Sequence, residues 1–543
     1  MNIFDFFHKR GIDTVDASFY RKIEEWKSWY AGNVRNFSFY RAYTGRGTYK
    51  RCKRKSMGMA KKLSEDIADL LLNERVKITI ADENTEEFVQ NILRDNKFYV
   101  LGNDYQERKA YTGTVAYIPY LYDMEVRDDG EVLSGKIGIN YCSASNIFPV
   151  SWNNGAVTEC VFTFLHTVNR KKYVQVQYHK LENGQYVIEN TVLENMQGSR
   201  EGKELSKEEW MKLKPFKTLT ERIETGSSVP QYVIDRLNIT NNADFDGSNP
   251  MGVAIFANAI DTLKKLDIEF DSYSSEFELG RKRIFVAPEL LSNDDGSPAF
   301  DPDDCVFYKL PDDYDKSKEG LIHEINMDLR ADEHSKAIND DLNYLSLKCG
   351  FGTERYRFDS SGVKTATEVI SENSDMYRML KKHEIILEDV LKELIQIIIR
   401  LGVVLGNDLN QDSEITIDFD DSIIEDKSAE RQQDRQDVSM GVMPLAEYRA
   451  KWYGETEEEA AANLPEQNAV LDDDVKIPTT KNNSGGAEVQ GKQLNGAQTQ
   501  SLIAIMSQFS SGELTEGQAI NLIATAIGIE KDEARRLLNG DVM

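Results

Sequence analysis

The 543-residue chain is short of the residues and patterns that build disulfide frameworks, membrane spans and hydrolytic centres. Its five cysteines, at 52, 142, 160, 305 and 349, are odd in number, far apart and never in a C-x-x-C pair. That argues for free thiols in a reducing compartment. The longest apolar run, 397–405, is broken by Arg400 and falls short of the roughly 20 residues a membrane helix needs. No contact with a membrane is expected. The first residues, MNIFDFFHKRGID, carry charges inside a short apolar stretch and have no small-residue cleavage site, so they do not read as a secretory signal.

Catalytic patterns are missing as well. There is no G-x-S-x-G elbow and no H-E-x-x-H pair, and the six histidines are scattered. GEVLSGKI, 130–137, approaches a phosphate-binding loop, but Ile137 stands where a Ser or Thr must hold Mg²⁺. It also falls between two predicted strands instead of opening a helix, so a hairpin is the better reading. Asp301, Asp303 and Asp304 gather three carboxylates in a turn, without the bidentate Glu of a calcium loop. Pro302 already accounts for that turn, and a solvated loop is expected there and at 472–474. No metal or cofactor is expected.

Positive charge is scarce too: 65 Lys and Arg face 92 Asp and Glu, a net charge of −27. A chain this acidic is unlike proteins that grip duplex DNA with clustered cations. Acidity serves solubility in many proteins, and charge alone decides little. Two basic features stand against that background. Arg41 to Lys62 contains no Asp or Glu and interleaves Tyr43 and Tyr49 with Lys50, Arg51, Lys53, Arg54 and Lys55. It suits an acidic protein surface or, less readily, nucleic acid. The second, 349–364, frames Arg355, Tyr356, Arg357, Phe358 and Lys364 with Gly350, Gly352 and Gly362.

Periodicity supplies the elements. Helix spacing of apolar residues runs through 19–30, 55–73 and 85–96, and residues 13–120 read as mainly helical. From 111 to 197 the pattern turns to alternation, with Asn183-Gly184 joining two strands of an antiparallel meander. Helix returns after the turn at 247–250 and runs to about 279, a strand-and-turn insert follows, and helix resumes over 328–347. Val369, Met376, Leu380, Leu387, Leu391, Leu394 and Ile398 then mark one helix from Thr367 to Leu401, about 50 Å long at ~1.5 Å per residue. Thr365 or Thr367 can cap it, with Glu368 in its first turn. His383 within it reads as a packed or partly exposed core-edge residue. Residues 415–421, ITIDFDD, read as a strand ending in acids, 432–467 as acidic helix, 475–500 as a Gly, Asn and Gln linker, and the last 40 or so as amphipathic helices. The fold class is α+β.

The basic loop, KTATEV and the long helix together resemble the tunnel loop and spanning helix of tailed-phage portal proteins, specifically the SPP1-like portals of phages of Gram-positive bacteria. WKSWYAG (26–32) resembles that family's first helix and turn, and MAKKLSEDIADLLLNERVKITI (59–80) its following helix and strand. ITIDFDDSIIEDKSAE (415–430) and GELTEGQAINLIATAIGIEKDEARRLL (512–538) also fit the family's order. Helix, β insert, helix and loop in succession is the portal order of stem, clip, stem and tunnel loop.

The resemblance implies a wing over 1–248, a stem helix over 249–280, a clip over 281–328 and a second stem helix over 329–349. It places the tunnel loop at 350–366, a long wing helix with its strand at 367–431 and a crown at 432–543. It implies a non-enzymatic, dodecameric ring at one capsid vertex, through which double-stranded DNA is packaged and ejected. Arg355, Tyr356, Arg357 and Lys364 would contact DNA, with Gly350, Gly352 and Gly362 as hinges. Lys282, Arg283, Phe285, Phe307 and Tyr308 would belong to the clip surface that receives the terminase large subunit and later the head-completion adaptor. Major capsid and scaffolding proteins would meet the wing, in the host cytoplasm during assembly and then in the virion. A terminase or nuclease subunit would need a Walker pair or ordered carboxylates on strands, and a shell or scaffolding protein would not need the stem, clip and loop order.

Overall fold

The computed structural model describes residues 2–43, 47–72, 76–126, 132–195, 202–244, 247–280, 282–287, 307–309, 322–353, 355–358, 366–419, 427–453, 455–464, 505, 514–527, 531 and 534–536. These form two compact units, 1–444 and 445–543. Helix and sheet are mixed, as expected of α+β.

Helices α1 (Ile3–Arg10) and α2 (Ala17–Tyr30) begin the first unit. Asp16 caps α2 by accepting the Ser18 N–H at 2.7 Å, and Phe19, Ile23 and Trp26 point inward at helical spacing. Strands β1 (Phe39–Tyr43) and β2 (Tyr49–Lys53) form an antiparallel pair of their own. The Arg41–Lys62 segment, read as part of a helical region, is thus a two-stranded ribbon before it enters α3 (Met59–Leu71).

Strand β3 (Lys77–Ile80) leads to α4 (Glu83–Asp95), capped by Asp82, and then to α5 (Phe98–Thr112). The 3.6-residue signal of α5 is weak because its apolar residues are spread around its circumference, so its bounds were not legible in the sequence.

The meander divides into two sheets. β4 (Thr114–Val126) and β5 (Val132–Ser143) pair with each other, and β12 (Val233–Arg236) returns to the other edge of β4. Lys136 of the near-miss phosphate loop therefore lies in a strand. The Asn96 side chain accepts the Ile139 N–H at 2.9 Å and donates to the Ile137 carbonyl at 3.0 Å, mimicking a neighbouring strand and closing that stretch of the β5 edge. β6 (Ile147–Asn153), β7 (Ala156–Val168), β8 (Lys171–Glu182) and β9 (Gln185–Asn195) continue as an antiparallel sheet, joined by β10 (Lys203–Glu204) and β11 (Arg222–Glu224). Asn183 and Gly184, both at positive φ, make the expected β8–β9 turn. The short helix α6 (Lys207–Trp210) sits in a small satellite core with Tyr173, Val192 and Phe216.

Helix α7 (Ile260–Leu279) starts later than the expected boundary near 251. Residues Met251 to Phe256 are instead buried non-helical chain, with the Ile255 N–H donating to the Ala110 carbonyl at 2.8 Å. A Cβ on Gly113 would lie 2.3 Å from the Gly252 backbone, so this crossing requires glycine on both strands. A small sheet follows, with β13 (Arg283–Val286) between β14 (Phe307–Lys309), parallel, and β15 (Ile322–Ile325), antiparallel. The Asp301, Asp303 and Asp304 turn lies outside the described residues.

Helix α8 (Ala331–Lys348) packs on α7, and α9 (Ala366–Val404) is the long helix, 39 residues and about 58 Å at ~1.5 Å per residue. Met376, Leu380, Leu387, Leu391, Leu394 and Ile398 are all buried, as their spacing predicts. Thr365 and the side chains of Glu368 and Val369 lie outside the described residues. Helix α9 touches α3, α4, β4, β5 and β12, and strand β16 (Ile415–Asp418) after it pairs antiparallel with β3. Helix α9 is thus the spine of the unit.

A charged pair sits inside this core. Lys109 Nζ lies 2.9 and 3.0 Å from the two Asp235 oxygens, with both residues essentially inaccessible. Gln106 donates to Asp235 at 2.7 Å and to Tyr117 at 2.9 Å. The network joins α5, β4 and β12. Burial pushes the Lys109 ammonium down from its ordinary range, against the attraction of Asp235.

Helix α10 (Lys427–Ser439) ends the first unit. The second contains α11 (Leu445–Tyr453), α12 (Glu457–Ala462), which begins with a Thr456–Glu459 capping box, and α13 (Glu516–Ile527). Ile505, Ala519, Ile520, Ile523 and Ala534 cluster there. The 475–500 linker lies outside the described residues. Among the described residues no helix is long and apolar enough to cross a membrane, and Cys52, Cys142, Cys160 and Cys349 are free thiols.

Candidate functional site

The basic loop begins at a tightly specified helix end. The Gly350 N–H donates to the Leu347 carbonyl at 3.2 Å and the Phe351 N–H to the Ser346 carbonyl at 3.0 Å, which closes α8 in a Schellman motif. Gly350 takes the left-handed conformation this requires, with φ of 84°, and Gly352 follows at 77°. A Cβ on Gly350 would meet Met379 of α9 at 2.9 Å, so the turn is both left-handed and closely packed. These two glycines set the direction of the loop. Gly362 and Lys364 lie outside the described residues.

Beyond the turn the side chains alternate. Arg355 and Arg357 are exposed, whereas Tyr356 is buried and Phe358 half-buried. The Tyr356 hydroxyl donates to Asp66 Oδ2 of α3 at 2.7 Å, and Lys62 holds Oδ1 of the same carboxylate at 2.7 Å. Desolvation, reinforced by the Asp66 charge, pushes the Tyr356 phenol well above its ordinary range, so it stays protonated as a donor. Phe351 packs edge-on against Tyr356, with ring centroids 5.9 Å apart. On the other side the Phe358 N–H donates to Asn339 Oδ1 of α8 at 2.7 Å, and its ring meets Tyr273 of α7 edge-on at 5.2 Å.

The loop is therefore riveted at 356 and 358, and only Arg355 and Arg357 of the described basic residues face out. Tyr356, grouped in the sequence with the outward-facing set, points into the core. The alternation was visible in the sequence, but Asp66 and Asn339 carried no local sign of their anchoring role. Next to Arg357, Asp332, Lys336, Asn339, Asp340 and Asn343 line an open polar groove along one face of α8.

Helices α7 and α8 meet through Leu263, Leu266, Ile338, Leu342 and Leu345, with charged links toward both ends. Lys265 reaches Asp341 at 2.8 Å. Arg330 grips Glu276 through two nitrogens at 2.8 and 3.0 Å, which holds the Glu276 carboxyl down at about 2.

In the β13–β15 insert, Lys282 pairs with Glu324 at 2.5 Å, Arg283 donates to the Leu279 carbonyl at 3.3 Å, and the Phe285 and Tyr308 rings lie 5.5 Å apart. Tyr308 is exposed, as are Ile322, Ile325, Met327 and Leu329. The side chain of Phe307 lies outside the described residues. Among the described residues no set of three or more His, Cys, Asp and Glu is arranged to hold a metal ion.

Among the described residues two helices bracket a small β insert, and a glycine-closed basic loop leads from the second of them to the 39-residue helix α9. The family described as Phage portal protein, SPP1 Gp6-like, matches residues 11–470, more than four-fifths of the chain. The chain belongs to the SPP1-like phage portal protein family. That family is structural and non-enzymatic, and membership implies a place in the phage capsid, at a vertex, within a ring of identical subunits. No curated protein matches the chain.

Proposed function

We propose that this chain is the subunit of a dodecameric ring whose central channel carries double-stranded DNA into the phage head during packaging and out during ejection. The observation that carries this reading is the order of α7, the β13–β15 insert, α8, the glycine-closed loop and α9 within the family match. In this reading 249–280 and 329–349 are the stem and 281–328 the clip. Residues 350–366 are the tunnel loop, 1–248 with 367–431 the wing, and 432–543 the crown.

Arg355 and Arg357 touch DNA phosphates from the channel wall, together with Lys364. Tyr356 and Phe358 hold the loop in place, and Gly350 and Gly352 turn it. Two or three such cations per subunit make weak, sequence-independent contacts that let the duplex slide, and the acidic remainder of the chain keeps it from sticking.

The clip, with Lys282, Arg283, Phe285, Phe307 and Tyr308, receives the terminase large subunit, which supplies ATP hydrolysis, and later the head-completion adaptor. The exposed Ile322, Ile325, Met327 and Leu329 support that role. The wing faces the major capsid and scaffolding proteins. Assembly takes place in the host cytoplasm, and the finished ring stays in the virion.

Negative-stain imaging with mass determination on the purified protein tests the reading. Closed rings of about twelve subunits around a central hole are expected; a monomer or a spherical shell would overturn it. In assembled heads, replacing Arg355 and Arg357 by Ala is expected to lower the DNA packaged while rings still form, and unchanged packaging would remove the loop from the DNA path.

A further inference from the structure

The β1–β2 ribbon carries a charge arrangement that the fold does not require. Its register sets Arg41 directly opposite Arg51, Phe39 opposite Lys53 and Tyr43 opposite Tyr49, so all six share one face. Every one of them is exposed, Tyr43 and Tyr49 at 69% and 70%. Like charges facing each other across a strand pair weaken it. Arg51 stacks 4.0 Å above the Phe39 ring, and the two tyrosines meet edge-on at 5.4 Å.

None of Arg41, Lys50, Arg51 and Lys53 has a carboxylate partner among the described residues, although acids outnumber bases in the chain. Three lysines further along the sequence behave differently. Lys55 pairs with Glu278, Lys61 with Glu107 and Lys62 with Asp66. Lysines on an exposed ribbon can serve simply to discourage sheet pairing. That role needs neither an opposed arginine pair nor three bare aromatics.

The base of the ribbon is fixed. Asp271 accepts the Lys55 N–H at 3.0 Å and Asp267 the Met57 N–H at 2.9 Å, which ties it to α7. The outer face is held out on a firm support.

The same chain has the complementary surface. Residues 81–93 and 401–418 contain no Lys or Arg. The fold brings them together: Asn84 donates to the Asp408 carbonyl at 2.7 Å, the Asn410 N–H to Thr85 at 3.0 Å and the Ala81 N–H to the Glu414 carbonyl at 3.0 Å. Glu83, Glu87, Asp408, Asp412 and Glu414 are exposed at this corner, and no ion pair forms on them among the described residues. Lys392, which feels Glu414, is itself bonded to Glu388 at 2.6 Å.

We propose that the Arg41–Arg51 face of the ribbon docks on the Glu83, Glu87, Asp408 and Asp412 corner of a second copy of this chain. Ribbon and corner are different surfaces that leave each other's charges unmet within one chain, so each copy offers one and accepts the other. Such a head-to-tail contact repeats from copy to copy and closes into a ring when the rotation allows. The opposed arginines gain carboxylate partners, and Phe39, Tyr43 and Tyr49 supply the rigid aromatic area that anchors contacts of this type. This inference rests on the ring reading above and assigns one of its subunit contacts.

The experiment is a charge swap in the full chain, followed by sedimentation and native mass across a salt series. Circular dichroism checks that each variant is folded. Arg41→Glu with Arg51→Glu, and separately Glu87→Lys with Asp412→Lys, should each raise the subunit concentration for half-assembly roughly tenfold at low salt. The four-substitution protein should recover to within about threefold of the parent, because the attraction is restored with its sign exchanged.

Assembly of the arginine variant at the parent's concentration, or failure of the folded four-substitution protein to recover, would overturn the contact. Rings that form normally but do not enter heads would move the ribbon's partner to a shell or scaffolding protein, and also overturn it. If the parent itself forms no rings, it is the portal reading that fails.

Discussion

Tyr356 and Asp66 are 290 residues apart in the chain, and the phenol of one donates to the carboxylate of the other across 2.7 Å. The contact fastens the basic loop to α3 and leaves Arg355 and Arg357 outside.

Removing that hydroxyl should loosen the loop without dismantling the core. Tyr356→Phe is expected to cost about 1–3 kcal/mol, because a nearly buried carboxylate loses a donor while Lys62 still holds its other oxygen. Thermal unfolding reads the loss, and limited proteolysis after Arg355 and Arg357 should speed up. Unaltered cleavage would show that Phe358 and Asn339 hold the loop alone.

The Lys109–Asp235 pair makes a sharper case, since neither charge reaches water. Lys109→Met is expected to cost about 3–5 kcal/mol by leaving the buried Asp235 charge without its cation, with Gln106 as its remaining donor. Lys109→Met with Asp235→Leu should recover much of that, as replacing a buried pair with apolar groups is often near neutral. A denaturant-unfolding double-mutant cycle measures the difference. Equal losses in the single and double variants would mean that Gln106 and Tyr117, rather than the ion pair, govern the site.

His383 gives the fold a pH dependence with a definite sign. Its Nδ1 accepts the Asn238 N–H at 3.0 Å, and burial, with the Lys109 and Lys382 charges, holds its pKa down at about 3. The unfolded chain takes up a proton on this ring near pH 6.5 and the folded chain does not. Stability associated with neutral His383 is therefore complete above about pH 6.5 and is lost as pH falls toward 3. His179, in an aromatic site between Phe162 and Tyr232, is also held at about 3 and adds a parallel slope. His383→Gln should flatten the fall in melting temperature between pH 6.5 and 4 by about half. An unchanged slope would assign the dependence to His179 and the carboxylates.

The elements that could be read from the chain are those whose signal is local. Seven apolar residues at helical spacing marked α9, and the six whose side chains are described are all buried. Asn183-Gly184 marked the β8–β9 turn because two consecutive positive φ values favour those residues. The candidate loop was equally visible as a change in composition, with glycines, two arginines and two aromatics in one short segment.

Longer-range choices left no such mark. Nothing in 251–256 distinguishes a helix start from buried non-helical chain, because the decision rests on Gly113 and Gly252 meeting backbone to backbone. The return of β12 to β4 and of β16 to β3 depends on strands more than 100 residues apart finding an open edge.

Within the loop, residue identity made 355–358 basic and aromatic, and backbone alternation put Arg355 and Arg357 on one side and Tyr356 on the other. Which side met solvent was set by Asp66 and Asn339, on helices that only chain packing brings to the loop. Local spacing reports on neighbours within a turn or two, whereas burial and charge pairing depend on surfaces that exist only once the chain has closed.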